Sequence, residues 1–505
     1  MRICASVITD GEAMIDEQTL RTMSVPRQAL IAGAPAEARD GATFANISPR
    51  DGRTIADVAA CGAADVDAAV ASARAAFEDG RWRDLPPKAR KKVLHRLADL
   101  MEAHAEELAW LECLDMGKPI ADARGVDLPL AIDTARYYAE ALDKLYGEVG
   151  PSHPGRLSYA VHEPLGVIGA IVPWNFPLLM AMWKVAPALA MGNSVVLKPA
   201  EQSPSSAIRL AELALEAGLP AGVLNVVPGF GETAGKALAL HMDVDMIAFT
   251  GSGSVGKLLM RYSGESNLKR VSLELGGKSP QIVFADCTDM DAAAQAAAWG
   301  IFYNQGEVCT AASRLLVQRE IKDAFLERVL AVAGNIVPGD PADPATRFGA
   351  MVSQEQMETA LRHIEHARRE SGAPLIGGRR VREETGGFYV EPTVFDTAPG
   401  TALAQQEVFG PVLGVIAFDD PDEAFRIAND TVYGLAAGVW TGSVDLAHRS
   451  ARKLRAGLVW VNGWDACDIT MPFGGFKQSG FGRDRSMHAL EKYTDLKAVT
   501  FSLRP

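Results

Sequence analysis

The chain has 505 residues, 48% of them hydrophobic and 22% charged, which is an ordinary globular mixture and too long for one core; two or three domains are expected. A net charge of −13 argues against nucleic acid or an anionic membrane as partner, since both require basic patches. No stretch approaches the roughly 18 apolar residues of a membrane span, and the opening "MRICASVITDGEAMIDEQ" lacks the apolar run of a signal peptide, so a cytoplasmic location is expected.

In chain order, residues 1–30 read as a loosely held extension. The segments 64–80, 89–117 and 132–147 carry apolar residues three and four apart, and Gly follows two of the runs; they are predicted amphipathic helices. The pattern then changes to short β-branched runs ending in Gly or Pro, at 166–173, 193–199, 222–229 and 245–251, with helical stretches between them. Alternation of this kind predicts a parallel sheet with right-handed crossovers. A second series, "SPQIVFADC", "SRLLVQ", "PVLGVIAF", "GLAAGVWTG" and "GLVWVNG", predicts a second α/β domain. The end of the chain, "LKAVTFSL", alternates like a terminal strand able to pair with another subunit.

Chemistry-bearing residues fall between these elements. "FTGSGSVGK" (249–257) places Gly251, Gly253 and Gly256 in the spacing of a dinucleotide turn, where a strand becomes a helix and free N–H groups face a phosphate. It departs from the usual fingerprint by following about the fourth strand of its domain instead of the first. "VVLKPAEQSP" sets Lys198 and Glu201 at a strand end; a carboxylate there accepts both ribose hydroxyls and repels a 2′-phosphate, favouring NAD over NADP. The six cysteines, at 4, 61, 113, 287, 309 and 467, show no paired spacing, and no His pair sits at i, i+4, so free thiols and no metal are expected. Cys309 alone is enclosed by a Gly-rich turn with small polar neighbours, which suits a reachable nucleophile. Glu274 stands before two glycines in "LELGGKSP", and Asn175 is held between two prolines in "PWNFP". From these residues alone, a thiol hydrolase or acyltransferase and a non-catalytic binding protein stay open beside an oxidoreductase.

Seven segments, "PWNFPLLMAMWK", "VLKPAE", "FTGSGSVGK", "LELGGKS", "NQGEVCTA", "EVFGPVL" and "PFGGFKQSGFGRD", occur in the order and approximate spacing of the NAD(P)-dependent aldehyde dehydrogenase superfamily, which the chain resembles from about residue 40 onward. Within it, "MAMWKVAPALAMGNSVVLKPAEQSP", "GIFYNQGEVC" and "HALEKYTDLKAV" are similar to the bacterial γ-glutamyl-γ-aminobutyraldehyde and ω-aminoaldehyde dehydrogenases. The resemblance implies an α/β fold of two Rossmann-like open-sheet domains plus a small β oligomerisation element. Residues 1–145 and 165–276 would bind NAD, 277–480 would carry catalysis, and 146–164 with 490–505 would join a homodimer or homotetramer. It implies Cys309 as nucleophile, Glu274 as general base and Asn175 as oxyanion donor, with Lys184 and Asp484 on a proton path, although the family often has Glu where Asp484 stands. Cofactor contacts fall to Trp174, Lys198, Glu201, Gly251, Ser252, Val255, Glu407 and Phe409; the family usually has Thr where Gly253 stands, so the glycine fingerprint is partly accidental. The aldehyde pocket is assigned to Phe176, Met180, Trp183, Tyr303, Val308, Thr310, Trp464, Asp465 and Phe473, with Asp465, Asp468 and the indoles of Trp183 and Trp464 drawing a cationic tail. Glu274 points to a free acid as product, since acyl-transferring relatives lack it. The expected reaction is NAD-dependent oxidation of an ω-amino or γ-glutamylamino aldehyde through a cysteine thioester, the alternative being betaine aldehyde or 3-hydroxypropionaldehyde.

Overall fold

The structure, a computed structural model, describes residues 23–466 and 468–503. Most of the predicted extension, Cys4 and Cys467 lie outside the described residues. Strands of the two large sheets are numbered in chain order: β1 Ala29–Ile31, β2 Ala34–Ala36, β3 Val167–Ile171, β4 Ser194–Lys198, β5 Leu224–Val226, β6 Met246–Thr250, β7 Arg270–Glu274, β8 Pro280–Val283, β9 Arg314–Gln318, β10 Thr393–Asp396, β11 Val412–Phe418, β12 Ala436–Trp440, β13 Leu458–Val461 and β14 Gly480–Phe481.

Runs such as "VIGAI" and "SVVLK" are buried along their whole length, as strands covered on both faces must be. They assemble the first sheet in the order β2-β1-β5-β4-β3-β6-β7-β14. Its five central strands are parallel. Taken in chain order from β3, they lie 3-2-1-4-5, the doubly wound arrangement in which the direction of winding reverses between β3 and β6. The loops leaving these two strands, at Pro173–Asn175 and at Gly251, therefore diverge and open a crevice at the C-terminal edge. The β1–β2 hairpin closes one side antiparallel, and β14 closes the other by pairing with β7. Since β14 begins at Gly480, the chain returns to the first sheet where the expected catalytic segment ends.

The second sheet, β10-β11-β9-β8-β12-β13, is parallel throughout. Only five residues separate the end of β7 from the start of β8, so the C-terminal edge of the first sheet meets the N-terminal edge of the second. The guanidinium of Arg314, buried at the start of β9, ties that edge together by donating to the carbonyls of Lys278, Ile427 and Ala428 at 2.9, 3.0 and 2.8 Å.

Three expectations about elements change in detail. The run predicted as one helix over 89–117 is two, Pro87–Ala103 and Ala105–Met116, broken at His104, whose φ of −106° and ψ of 18° are not helical. Its stop was read correctly: Gly117 takes the left-handed conformation at φ 79°. The third helix begins earlier, at Leu128 after a π-helical turn, and ends at Ala141. The terminal strand Thr494–Ser502 pairs antiparallel with Arg156–Pro164 of its own chain, and Glu148–Val149 forms the other edge of that small sheet. Among the described residues no helix is long and apolar enough to cross a membrane, and no group of three His, Cys, Asp or Glu side chains is placed to hold a metal.

Candidate active site

The junction of the two sheet edges encloses a cavity of about 300 Å³, the size of a small-molecule site. One wall comes from the strand ends of the first sheet with Glu407 and Phe409. The other comes from the helix Pro177–Ala190 and the loops that carry Tyr303, Asp465, Phe473 and Arg485. Cys309, Glu274 and Asn175 all line it, although up to 134 residues of sequence separate them.

Asn175 is aimed by its surroundings. Pro177 starts the next helix one residue after Phe176, and Asn175 Nδ2 donates to the Glu307 carbonyl at 2.8 Å, two residues before the cysteine. Asn304 braces both sides, donating to the backbone carbonyls of Asn175 at 3.2 Å and of Glu307 at 3.3 Å. To do so, Asn304 and Gln305 adopt φ of 49° and 57°, a strained backbone of the kind found at functional loops. Cys309 lies half-buried beyond this turn; burial and then the negative charges of Asp465, Glu407 and Glu274 push its thiol well above the ordinary value. At rest it is a thiol, and attack requires a route for its proton. Glu274 is buried, and neither carboxylate oxygen has a hydrogen-bond partner among the described residues. Burial foremost, then the charge of Asp484, raise it well above the usual carboxylate range, so it holds a proton more readily than an ordinary carboxylate. Lys184 is fully buried behind the cavity, paired with Asp484, and Asp484 is paired again with Lys492. These two cations hold Asp484 below the usual range despite its burial.

On the first-sheet wall, Ser252 caps the helix Gly253–Glu265, accepting from the Val255 N–H at 3.4 Å, and Gly253 has open space where a side chain would stand. Gly256 serves packing: a Cβ there would come within 2.9 Å of the Leu275 side chain, so its absence lets the helix lie close to the strand. Lys198 and Glu201 pair at 3.0 Å at the end of β4, Lys198 buried and the Glu201 carboxylate partly exposed. Glu407 Oε1 accepts from the Gly277 N–H at 2.9 Å, and burial pushes its carboxyl up to about 7. The two glycines after Glu274 explain themselves here. A Cβ on Gly276 would fall 1.9 Å from Glu407 Oε2, and one on Gly277 would fall 2.5 Å from the Cys309 carbonyl oxygen. Phe409, at φ 54°, meets Trp174 edge to face with ring centroids 5.3 Å apart. A capped helix end, a cation with a carboxylate at a sheet edge, and a second carboxylate in a glycine cradle are a donor set that fits a dinucleotide's phosphates and two riboses.

On the opposite wall, Phe176 stacks with Tyr303 at 6.4 Å and Trp183 packs against Phe473 at 4.8 Å, with Met180, Val308 and Thr310 beside them. Two expected residues stand elsewhere. Trp464 is core: it packs on Trp460 at 5.1 Å and fills the space that side chains on Gly300 and Gly438 would need. Asp468 spends its carboxylate on Thr470 at the surface. On the cofactor side, Val255 is exposed on the first turn of its helix, its N–H donating to the Ser252 cap. Conversely, Arg485 was not anticipated. It lines the cavity one residue beyond the last quoted motif, its guanidinium 5.6 Å from the Trp183 ring and 5.7 Å from Phe473. Gln356, also missed, donates to the Phe409 carbonyl at 2.7 Å and carries no local motif that would have marked it.

The aldehyde dehydrogenase family model matches residues 36–499. The NADP/NAD-dependent aldehyde dehydrogenase PuuC of Escherichia coli is 50% identical over 483 residues, which covers 95% of this chain and 97% of that protein. Among solved structures, a γ-glutamyl-γ-aminobutyraldehyde dehydrogenase from Burkholderia cenocepacia superposes with a TM-score of 0.95 at 58% identity, covering 97% of this chain and 99% of that one. An indole-3-acetaldehyde dehydrogenase complexed with NAD⁺ superposes with a TM-score of 0.95 at 56% identity, covering 96% and 99%. Fold and site thus define an NAD(P)-dependent oxidoreductase acting on aldehydes. The chain belongs to the aldehyde dehydrogenase family.

Proposed function

We propose that the chain oxidises an ω-amino or γ-glutamylamino aldehyde to the free acid with NAD in preference to NADP, using Cys309 as nucleophile. The observation that carries this reading is the convergence of Cys309, Glu274 and Asn175 on one cavity, opposite the glycine turn. The Cys309 thiol gives its proton to solvent that enters the cavity, the thiolate sulfur adds to the aldehyde carbon, and the resulting oxyanion takes hydrogen bonds from the Asn175 amide and the Cys309 backbone N–H. Bound NAD supplies the hydride acceptor. Ser252 and the Gly251 turn hold its pyrophosphate, Lys198 and Glu201 its adenine-side ribose, and Glu407 with Phe409 and Trp174 the other end. Once the acyl group sits on Cys309 as a thioester, Glu274 takes a proton from the attacking water and the acid leaves. The pair Lys184–Asp484, whose charges bear on Glu274, carries that proton onward.

The preference for NAD rests on Glu201, whose partly exposed carboxylate repels a 2′-phosphate. The first sheet with its covering helices is read as the cofactor domain and the second as the catalytic domain. The small sheet of Arg156–Pro164 and Thr494–Ser502, with Leu157, Leu496 and Phe501 exposed, is read as the homo-oligomer contact. A thiol hydrolase would leave Lys198, Glu201 and Glu407 without a role. The test is NADH formation by purified enzyme from γ-glutamyl-γ-aminobutyraldehyde, 4-guanidinobutyraldehyde and hexanal, each with NAD and with NADP. Faster turnover of the amino aldehydes with NAD supports the reading; aldehyde loss without dinucleotide reduction overturns it.

A further inference from the structure

Two opposite charges share the aldehyde wall of the cavity without neutralising each other. Asp465 and Arg485 both line it, and their field couples them, but among the described residues Asp465 makes neither a hydrogen bond nor an ion pair within 4.0 Å. Each is held at positive φ, 49° and 62°, a conformation that costs free energy and needs a compensating reason. Arg485 is buried, fixed by donating to the Asp468 carbonyl and by lying against the faces of Trp183 and Phe473, so its remaining N–H groups cannot swing toward solvent. A lone carboxylate on this wall would favour a simple cation; Arg485 beside it repels one. A lone guanidinium would favour a simple anion, and Asp465 opposes that. The ligand end that satisfies both carries an ammonium and a carboxylate together.

Resting on the proposed aldehyde reaction, we propose that Asp465 and Arg485 form a specificity site for the zwitterionic, α-amino-acid end of the aldehyde. Asp465 takes the ammonium, and the guanidinium of Arg485 takes the carboxylate through charge-assisted hydrogen bonds. The rings of Trp183 and Phe473, against which Arg485 lies, line the same cavity. Cys309, where the aldehyde carbon would react, lines the same cavity.

The test uses the full chain with NAD and three aldehydes of one length: γ-glutamyl-γ-aminobutyraldehyde, its N-acetyl derivative, which keeps only the carboxylate, and its α-methyl ester, which keeps only the ammonium. The wild-type protein is expected to favour the parent over each derivative by about tenfold or more in kcat/KM, the scale of one charge-assisted contact. In Asp465→Asn the ratio of parent to N-acetyl derivative falls toward one, and in Arg485→Gln the ratio of parent to ester does so. Each ratio is taken within one variant, so loss of folded protein does not move it, and Arg485→Lys is expected to restore part of the second ratio. Equal wild-type turnover of the three aldehydes, or variants that leave both ratios as they were, overturns the proposal. Hexanal separates the two levels: NADH from hexanal with no preference among the charged aldehydes refutes only this assignment, whereas no NADH from any aldehyde refutes the reaction beneath it.

Discussion

Replacing Asn175 by Ala separates the cost of an oxyanion donor from the cost of a misfolded loop. The amide Nδ2 reaches the Glu307 carbonyl at 2.8 Å, but that carbonyl also accepts from Asn304 at 3.3 Å, so truncation leaves no orphaned acceptor. The folding penalty is then that of one ordinary hydrogen bond, about 1 kcal/mol. Against this, removal of one oxyanion donor costs roughly 10²- to 10³-fold in rate, or about 2.7–4 kcal/mol of barrier. The imbalance is the prediction: the melting temperature moves by at most a few degrees, while the first turnover of NADH formation in a rapid-mixing experiment slows about a hundredfold or more. KM is expected to change little, since the contact strengthens only as the oxygen becomes charged. A variant whose first turnover stays within about threefold of the wild type, at an unchanged melting temperature, would refute the assignment of Asn175.

Glu201→Ser removes the carboxylate proposed to exclude a 2′-phosphate, and the ratio of kcat/KM for NAD to that for NADP should fall about tenfold, worth about 1.4 kcal/mol; an unchanged ratio would show that selection lies elsewhere. Gly277→Ala places a Cβ 2.5 Å from the Cys309 carbonyl oxygen, a backbone atom that cannot turn aside. Alkylation of the thiol by iodoacetamide and aldehyde turnover should both change at least tenfold, the scale of a small displacement at a reacting atom. Glu407 reports on pH. Its folded value near 7 lies above the ordinary 4.5, so the folded state binds more protons between these limits and loses stability as pH rises through them. Glu407→Gln keeps the acceptor for the Gly277 N–H and never ionises; its melting temperature should therefore gain on the wild type from about pH 4.5 to about 7 and then stay level.

How far the sequence led depended on whether a residue's role was local. The glycine turn, the proline frame of Asn175 and the alternation of buried strands are properties of a few adjacent residues, and each stands where it was expected. The Gly-Gly pair after Glu274 is visible in the sequence, and the groups it lets approach are Glu407 and the Cys309 carbonyl. Glu274, implied as the general base, lines the cavity with Cys309. Trp464 and Arg485 show where local reading fails. Whether an indole lines a cavity or fills a core depends on distant glycines, here Gly300 and Gly438, and nothing beside Trp464 records them. Arg485 enters the cavity because β14 and the Phe473–Asp484 backbone pairing fold its loop back onto the first sheet. The terminal strand had the alternation of an exposed edge, and only tertiary structure shows that its first partner is its own chain.

The central claim is a covalent acyl group on Cys309 that Glu274 releases. Mass spectrometry of Glu274→Gln enzyme quenched after mixing with NAD and γ-glutamyl-γ-aminobutyraldehyde tests it directly. One NADH per active site, together with an acyl mass addition on the peptide containing Cys309 that hydroxylamine removes, is the predicted result. NADH formation that continues past one equivalent while Cys309 stays unmodified would contradict the account.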